Sequence, residues 1–293
     1  MTDPLLSPFR VTGVYFLKYS QEYVSENELL ERYYFQPTLV SGLGIPTPNV
    51  RSSEAYRMHG SFFVGLNIPS RTVVLTIPVV GDIQEKSSDI YEWFAQDPSM
   101  VSRSYFDMYL ELSTGKKIMS RRVVLSAITE TLHEPLAQFL NITMFCPDPM
   151  WYDAVENTVS ASYNFVGPAD TPIDATITVP VIGTGLSYPT ITITGATNEL
   201  QFENEDTDQV FGPLALETSL GETVVIQTAP ALTNRGIYSD TTSPDNLITY
   251  ATTPNLELYL DPGFGDNEIK VTGFVTAGTA TITITWHNAY IGV

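Results

Sequence analysis

TATITITWHNAYI (279–291) sets threonine against alanine or isoleucine at every second place and closes on Trp286 and Tyr290. A period of two built from β-branched residues reads as a strand with one apolar and one hydroxyl-bearing face. The same texture recurs upstream in ATITV (175–179), TITIT (190–194), ETVVIQT (222–228) and EIKVTGFV (268–275), with Gly, Pro and Asp-Asn turns between. No helical period interrupts these runs, so the second half of the chain is expected to be a β-sandwich.

Further towards the N-terminus the texture is mixed. SFFVGL (61–66), RTVVLTIPVV (71–80), SYFDMYLEL (104–112), IMSRRVVLSAIT (118–129) and LAQFLNITMF (136–145) read as strands. Ser113, Thr114, Gly115 and Lys116 join two of them as a hairpin. Between these strands, Ile90, Trp93 and Phe94 fall at i, i+3 and i+4, which predicts a helix over 85–95 capped by Asp82 or Ser88 and stopped at Asp97-Pro98. NELLERYYF (27–35) is expected to be a short helix, and VSGLGIPTPN (40–49) a mobile loop.

Charge divides the chain more sharply than pattern does. Its 293 residues carry 14 Lys plus Arg against 33 Asp plus Glu, net −19. Residues 1–150 hold 12 basic and 16 acidic side chains, whereas 151–293 hold 2 (Arg235 and Lys270) and 17. Threonine rises from 10 to 25 across the same point. The expectation is two domains, 1–150 and 151–293. Such acidity excludes a nucleic-acid clamp, while 43% hydrophobic residues exclude a wholly disordered chain. No run of about 18 apolar residues predicts a membrane helix, and MTDPLLSPFR lacks the basic-then-apolar order of a secretory signal. Cys146 is the only cysteine, so no intramolecular disulfide framework is available.

Catalytic constellations are absent from the reading. There is no Walker loop, no GxGxxG after a strand, no GxSxG elbow and no HExxH. His59, His133 and His287 stand singly. QFENEDTD (201–208) offers Glu203, Glu205, Asp206 and Asp208 as oxygen ligands for calcium, but without the glycine and distal glutamate of an EF-hand loop a solvated turn is favoured. Asn141-Ile142-Thr143 matches a glycosylation sequon and is expected to be plain strand. The expectation is a protein that is not an enzyme, with no catalytic, metal or cofactor residues.

Several segments, taken in order, carry a resemblance. FCPDPMWYD (145–153) is a Pro-rigid turn bearing an aromatic pair, placed where the charge shift puts the domain boundary. It resembles the junction between the two domains of siphophage distal tail proteins, with Pro147, Asp148, Pro149, Trp151 and Tyr152 in the junction positions. LELYLDPGFGDNEIKVTG (256–273) is similar to that family's Pro-Gly loop before an alternating strand, here built from Asp261, Pro262, Gly263, Gly265, Asp266 and Asn267. PTITITGATNELQFEN (189–204) and LGETVVIQTAP (220–230) resemble its central strands, with Gln227 in place of the usual Asp before Thr228. The ending TATITITWHNAYIGV resembles the family's terminal strand, with His287 and Asn288 where basic residues are common. Residues 22–50 read as an insertion.

That resemblance implies a mainly β chain: an N-terminal β-barrel-like tail hub domain with one helix, then a C-terminal galectin-like β-sandwich. It implies a structural virion protein at the phage tail tip, assembled in the host cytoplasm, whose hexameric ring joins the tail tube protein to the tail hub or tip protein. DNA would pass through the ring unbound, receptor-binding proteins would hang outside, and no membrane would be entered. The hairpin 104–129 is a plausible ring edge, and Lys116, Lys117, Arg121 and Arg122 form its basic cluster, expected at the oligomer interface beside an acidic neighbour. The alternative is a carbohydrate-binding module of a host-adhesion device using Tyr188, Tyr238, Tyr250 or Trp286 as stacking platforms.

Overall fold

The computed structural model describes residues 11–18, 32–54, 61–80, 82–94, 106–134, 137–214, 217–228, 236–239 and 258–292. It is mainly β, with one helix among the described residues. The chain divides into two compact units, residues 1–154 with 291–293, and residues 155–290.

The first unit holds β1 (Val11–Lys18), β2 (Arg32–Phe35), β3 (Leu39–Ser41), β4 (Asn49–Glu54), β5 (Ser61–Asn67) and β6 (Arg71–Val80). After these come α1 (Ile83–Phe94), β7 (Phe106–Leu112), β8 (Lys117–Glu134), β9 (Ala137–Cys146) and β10 (Trp151–Asp153). Antiparallel pairing runs in the order β2-β1-β7-β8-β9-β6-β3; β10 lies on β8, and β4 pairs with β5. Strict alternation explains β6: Val73, Leu75, Ile77 and Val79 are buried, and the residues between them face outward.

Asp82 caps α1, its Oδ1 accepting the Glu85 N–H at 3.2 Å, while Ser88 lies within the helix. Ile90 and Phe94 bury the apolar stripe. Phe94 sits edge-on to Phe16 and Phe106, with centroids 5.2 and 5.5 Å away. Asp97 and Pro98 lie outside the described residues.

Three expectations need correction here. Residues 32–35 are strand and not helix, because pairing of Tyr34 with Tyr15 and of Phe35 with Val14 buries Phe35 in the core; residues 27–31 lie outside the described residues. Nor is 40–49 simply a loop: it begins inside β3, and Arg71 holds the carbonyls of Gly42, Leu43 and Gly44. The hairpin 104–129 is not an edge, since β7 lies between β1 and β8, and the ends of the series are β2 and β3.

The second unit contains β11 (Asn157–Asn164), β12 (Thr171–Pro180), β13 (Thr190–Asn204), β14 (Gln209–Phe211), β15 (Thr223–Gln227), β16 (Gly236–Ser239), β17 (Asp266–Trp286) and β18 (Ala289–Tyr290). The stretch 268–275 and the first part of 279–291 are joined in β17, a strand of 21 residues that ends at Trp286, so the expected strand to 291 breaks at 287–288 before β18. Gly273 lies within the first stretch and Gly278 between the two, with φ of 145° and 62°, so the chain changes direction there without ending the strand.

One edge of β17 carries β12 and then β11, and the other carries β13 along its length. The pairing of β13 with β17 shifts register around Ala196 and again between Asn198 and Gln201. The two halves of this sheet bury one apolar cluster, in which Ile177, Phe202 and Val271 join Ile191, Val224 and Ile282. One sheet thus supplies both layers of a sandwich.

Candidate functional site

Arg71 opens β6 and gathers backbone carbonyls from three segments of the first unit. Its side chain is 3% exposed. Nε and Nη2 donate to the carbonyl of Pro149, Nη1 donates to those of Gly42, Leu43 and Gly44, and Nη2 reaches that of Ile291. The guanidinium also lies 4.9 Å from the Trp151 ring centroid, a stacking that suits its planar, weakly hydrated face. These acceptors are all neutral. Burial therefore lowers the Arg71 pKa to about 10, with Cys146 and Asp148 pulling the other way.

Around this residue the junction segment folds on itself. Asp148 accepts the Met150 N–H at 2.9 Å and the Tyr152 hydroxyl at 2.7 Å. Trp151 is buried and donates Nε1–H to the Leu43 carbonyl at 3.3 Å, while Pro147 is exposed. The sequence showed the Pro-aromatic turn but not its organiser. An arginine at the start of a strand carries no local mark of the three segments it will bind.

The basic cluster is engaged within its own unit. Lys116 pairs with Asp153 at 2.9 Å and Lys117 with Glu111 at 2.7 Å. Glu111 raises the Lys117 pKa, first by hydrogen bonding and then by its charge. Arg121 lies 5.3 Å from the Tyr152 ring centroid. Arg122 adopts a φ of 54° and donates its backbone N–H to Asp107 at 3.0 Å. The four cations line one hairpin without forming a bare positive patch.

In the second unit the remaining candidates resolve into structural parts. Residues 201–208 make the β13–β14 hairpin, where Asn204 accepts from Asp206 and Asp206 accepts the Glu268 N–H at 2.8 Å. Asn267 ties the Asp261–Gly265 turn by accepting from Asp261 and donating to the Asp261 and Gly265 carbonyls. Thr228 donates to the Pro189 carbonyl.

Trp286, expected as an exposed platform, is buried at 3% exposure with its Nε1–H on Asn288; its place on the inward face of β17 decides this. Tyr188 packs edge-on to Tyr259, Tyr238 is half-buried in β16, and Tyr250 lies outside the described residues. His287 Nε2 stands 3.8 Å from Glu156, His59 lies outside the described residues, and Asn141 accepts from Thr76 within the sheet. Among the described residues no group of three His, Cys, Asp or Glu is placed to hold a metal ion, and no helix is long and apolar enough to cross a membrane.

No protein-family model matches the sequence, and a search of curated proteins finds no match. Solved structures do match. The Dit protein of phage SPP1, described as a paradigm of the hub adsorption apparatus of phages infecting Gram-positive bacteria, superposes with a TM-score of 0.59 at 14% identity. That match covers 87% of this chain and 93% of the SPP1 protein. The chain has a Dit-like fold. A chain of the phage p2 baseplate in its activated conformation with calcium matches at TM-score 0.54 and 9% identity, over 93% of this chain and 97% of its own. The strontium form of that baseplate gives 0.52. The Dit-like fold thus runs through both units and not through one alone.

Proposed function

We propose that this chain is a structural protein of a long-tailed phage virion, the distal tail protein at the tail tip. The observation that carries this reading is the likeness to SPP1 Dit across 87% of the chain. In this reading a hexameric ring of the N-terminal parts joins the tail tube to the hub or tip protein and lets DNA pass, and the C-terminal galectin-like sandwiches face outward, where receptor-binding proteins attach. Its work is assembly, not catalysis.

The segment Pro147–Tyr152 is assigned to the join between the ring-forming domain (1–150) and the outer domain (151–293). The Lys116–Lys117 turn keeps side chains 40% and 50% exposed despite its internal pairs, and it is assigned a contact with an acidic neighbour of the assembly. Charge reversal at both lysines is expected to weaken ring assembly; unchanged rings would remove that contact. Antibody labelling of virions tests the reading as a whole. Label confined to the distal end of the tail is expected, and label elsewhere, or virions without label, would overturn it.

A further inference from the structure

The outward face of β3, β6 and β9 carries an apolar stripe that the core does not use. Phe145 lies opposite Thr72, so it is the diagonal neighbour of Val74. Leu39 lies opposite Thr76, and so is diagonal to both Val74 and Pro78; Val80 follows Pro78 on the same face. Diagonal neighbours are within reach of one another's large side chains, at about 7–8 Å. Leu39 is 63% exposed, Val80 57% and Phe145 40%. Scattered exposed hydrophobics are ordinary, whereas a contiguous stripe marks an interaction surface.

Charge singles out the same face. The alternate residues 39–41, 72–80 and 139–145 that point outward include no Asp, Glu, Lys or Arg, in a chain of net −19. At the end of β6, Pro78 and Val80 also border an open groove of about 660 Å³ that lies on the inward side against α1, lined by Tyr34, Phe35, Gln36, Ile77, Lys86 and Ile90. Lys86 is drawn to the rim by its bond to the Val80 carbonyl at 2.7 Å.

We propose that this face is where a second copy of the chain packs. Residues 1–150, which carry this face, are close to charge balance, with 12 basic and 16 acidic side chains in a chain of net −19, and a face without carboxylates lets two copies meet without opposing like charges. Ten residues of β6 and three strands span about 30 Å by about 15 Å, so covering this face and the neighbour's surface that meets it removes on the order of 1,000 Å² from water. That is the lower limit for a specific contact. A ring is built head to tail, so the stripe meets a different surface of the next copy, and a contact of this size is reinforced by its repetition around the closed ring. The inference rests on the hub reading for the ring and adds the surface that builds it.

The test is sedimentation velocity on the full chain over a concentration series. Leu39→Glu combined with Phe145→Glu is expected to weaken self-association by at least about tenfold, a loss of about 1.4 kcal/mol. Ser162→Glu with Thr194→Glu adds equal charge to exposed positions of the second unit and is expected to leave association unchanged. Circular dichroism checks folding; if the glutamate pair unfolds the chain, Leu39→Ser with Phe145→Ser provides the same readout. A glutamate pair that associates like the parent, or a parent monomeric throughout, overturns the proposal. Virion labelling separates the two ideas, because label at the tail tip with unaltered association sinks this face alone, and absent label sinks the hub reading.

Discussion

Arg71 shows how one side chain replaces a network of turns. Its donors satisfy carbonyls at 42–44, 149 and 291, three segments distant in sequence, and the Trp151 ring covers its face. Arg71→Met leaves those buried acceptors unpaired and is expected to cost roughly 3 kcal/mol or more in denaturant unfolding. Arg71→Lys keeps the charge but not the planar fork, and is expected to lose nearly as much; full stability in the lysine variant would show that charge alone matters. Cys146, buried beside this centre, has its thiol pKa pushed up from 9.0 to about 11 by burial. Between those values the unfolded chain releases the proton first. The thiol therefore stabilises the fold below pH 9, and its contribution falls as pH rises to about 11, by roughly 3 kcal/mol in all. Unfolding free energies of parent and Cys146→Ala measured across that range are expected to converge by this amount; parallel curves would refute it.

Among the elements, α1 and β17 mark what sequence shows and what it hides. The spacing of Ile90, Trp93 and Phe94 with Asp82 ahead of them was enough to find the helix, because capping and periodicity are local. Asp82→Ala is expected to cost about 1 kcal/mol and Phe94→Ala about 3–5 kcal/mol through the cavity left among Phe16, Phe35 and Phe106; thermal melts distinguish the two. Arg32–Phe35 was misread because a partner strand far along the chain, not local propensity, decides it. β11 went unread because Val159, Ala161 and Tyr163 alternate with small polar residues, a weak signal made firm only by pairing with β17. The unity of β17 hid behind its glycines, which in sequence look the same whether they end a strand or bend it. For the candidate site, the Pro147–Tyr152 turn was legible, but Arg71 and the pairing of Lys116 with Asp153 depend on neighbours no spacing rule supplies.

At the scale of the whole molecule the question is what so much negative charge costs. Residues 151–293 carry 17 acidic and 2 basic side chains, and Lys270 meets Asp174 only at 3.8 Å with the aspartate 77% exposed. A pair of that kind contributes little, so self-repulsion among carboxylates outweighs attraction in this part of the chain. The buried cluster and long ladders of β13, β12 and β11 on β17 must offset it. Salt then acts in one direction. Raising ionic strength from about 0.01 M to about 1 M shortens the screening length from about 30 Å to about 3 Å, which relieves repulsion while costing few useful ion pairs. The thermal midpoint of the full chain is expected to rise with sodium chloride, and the isolated segment 151–293, if it folds alone, to rise more steeply. A midpoint that falls with salt would mean that specific ion pairs, and not the excess of acid, govern the balance. In an assembly the same repulsion keeps acidic surfaces apart and leaves close approach to the faces that carry no charge, which is why the stripe through Leu39, Val74 and Phe145 matters more than its modest area suggests.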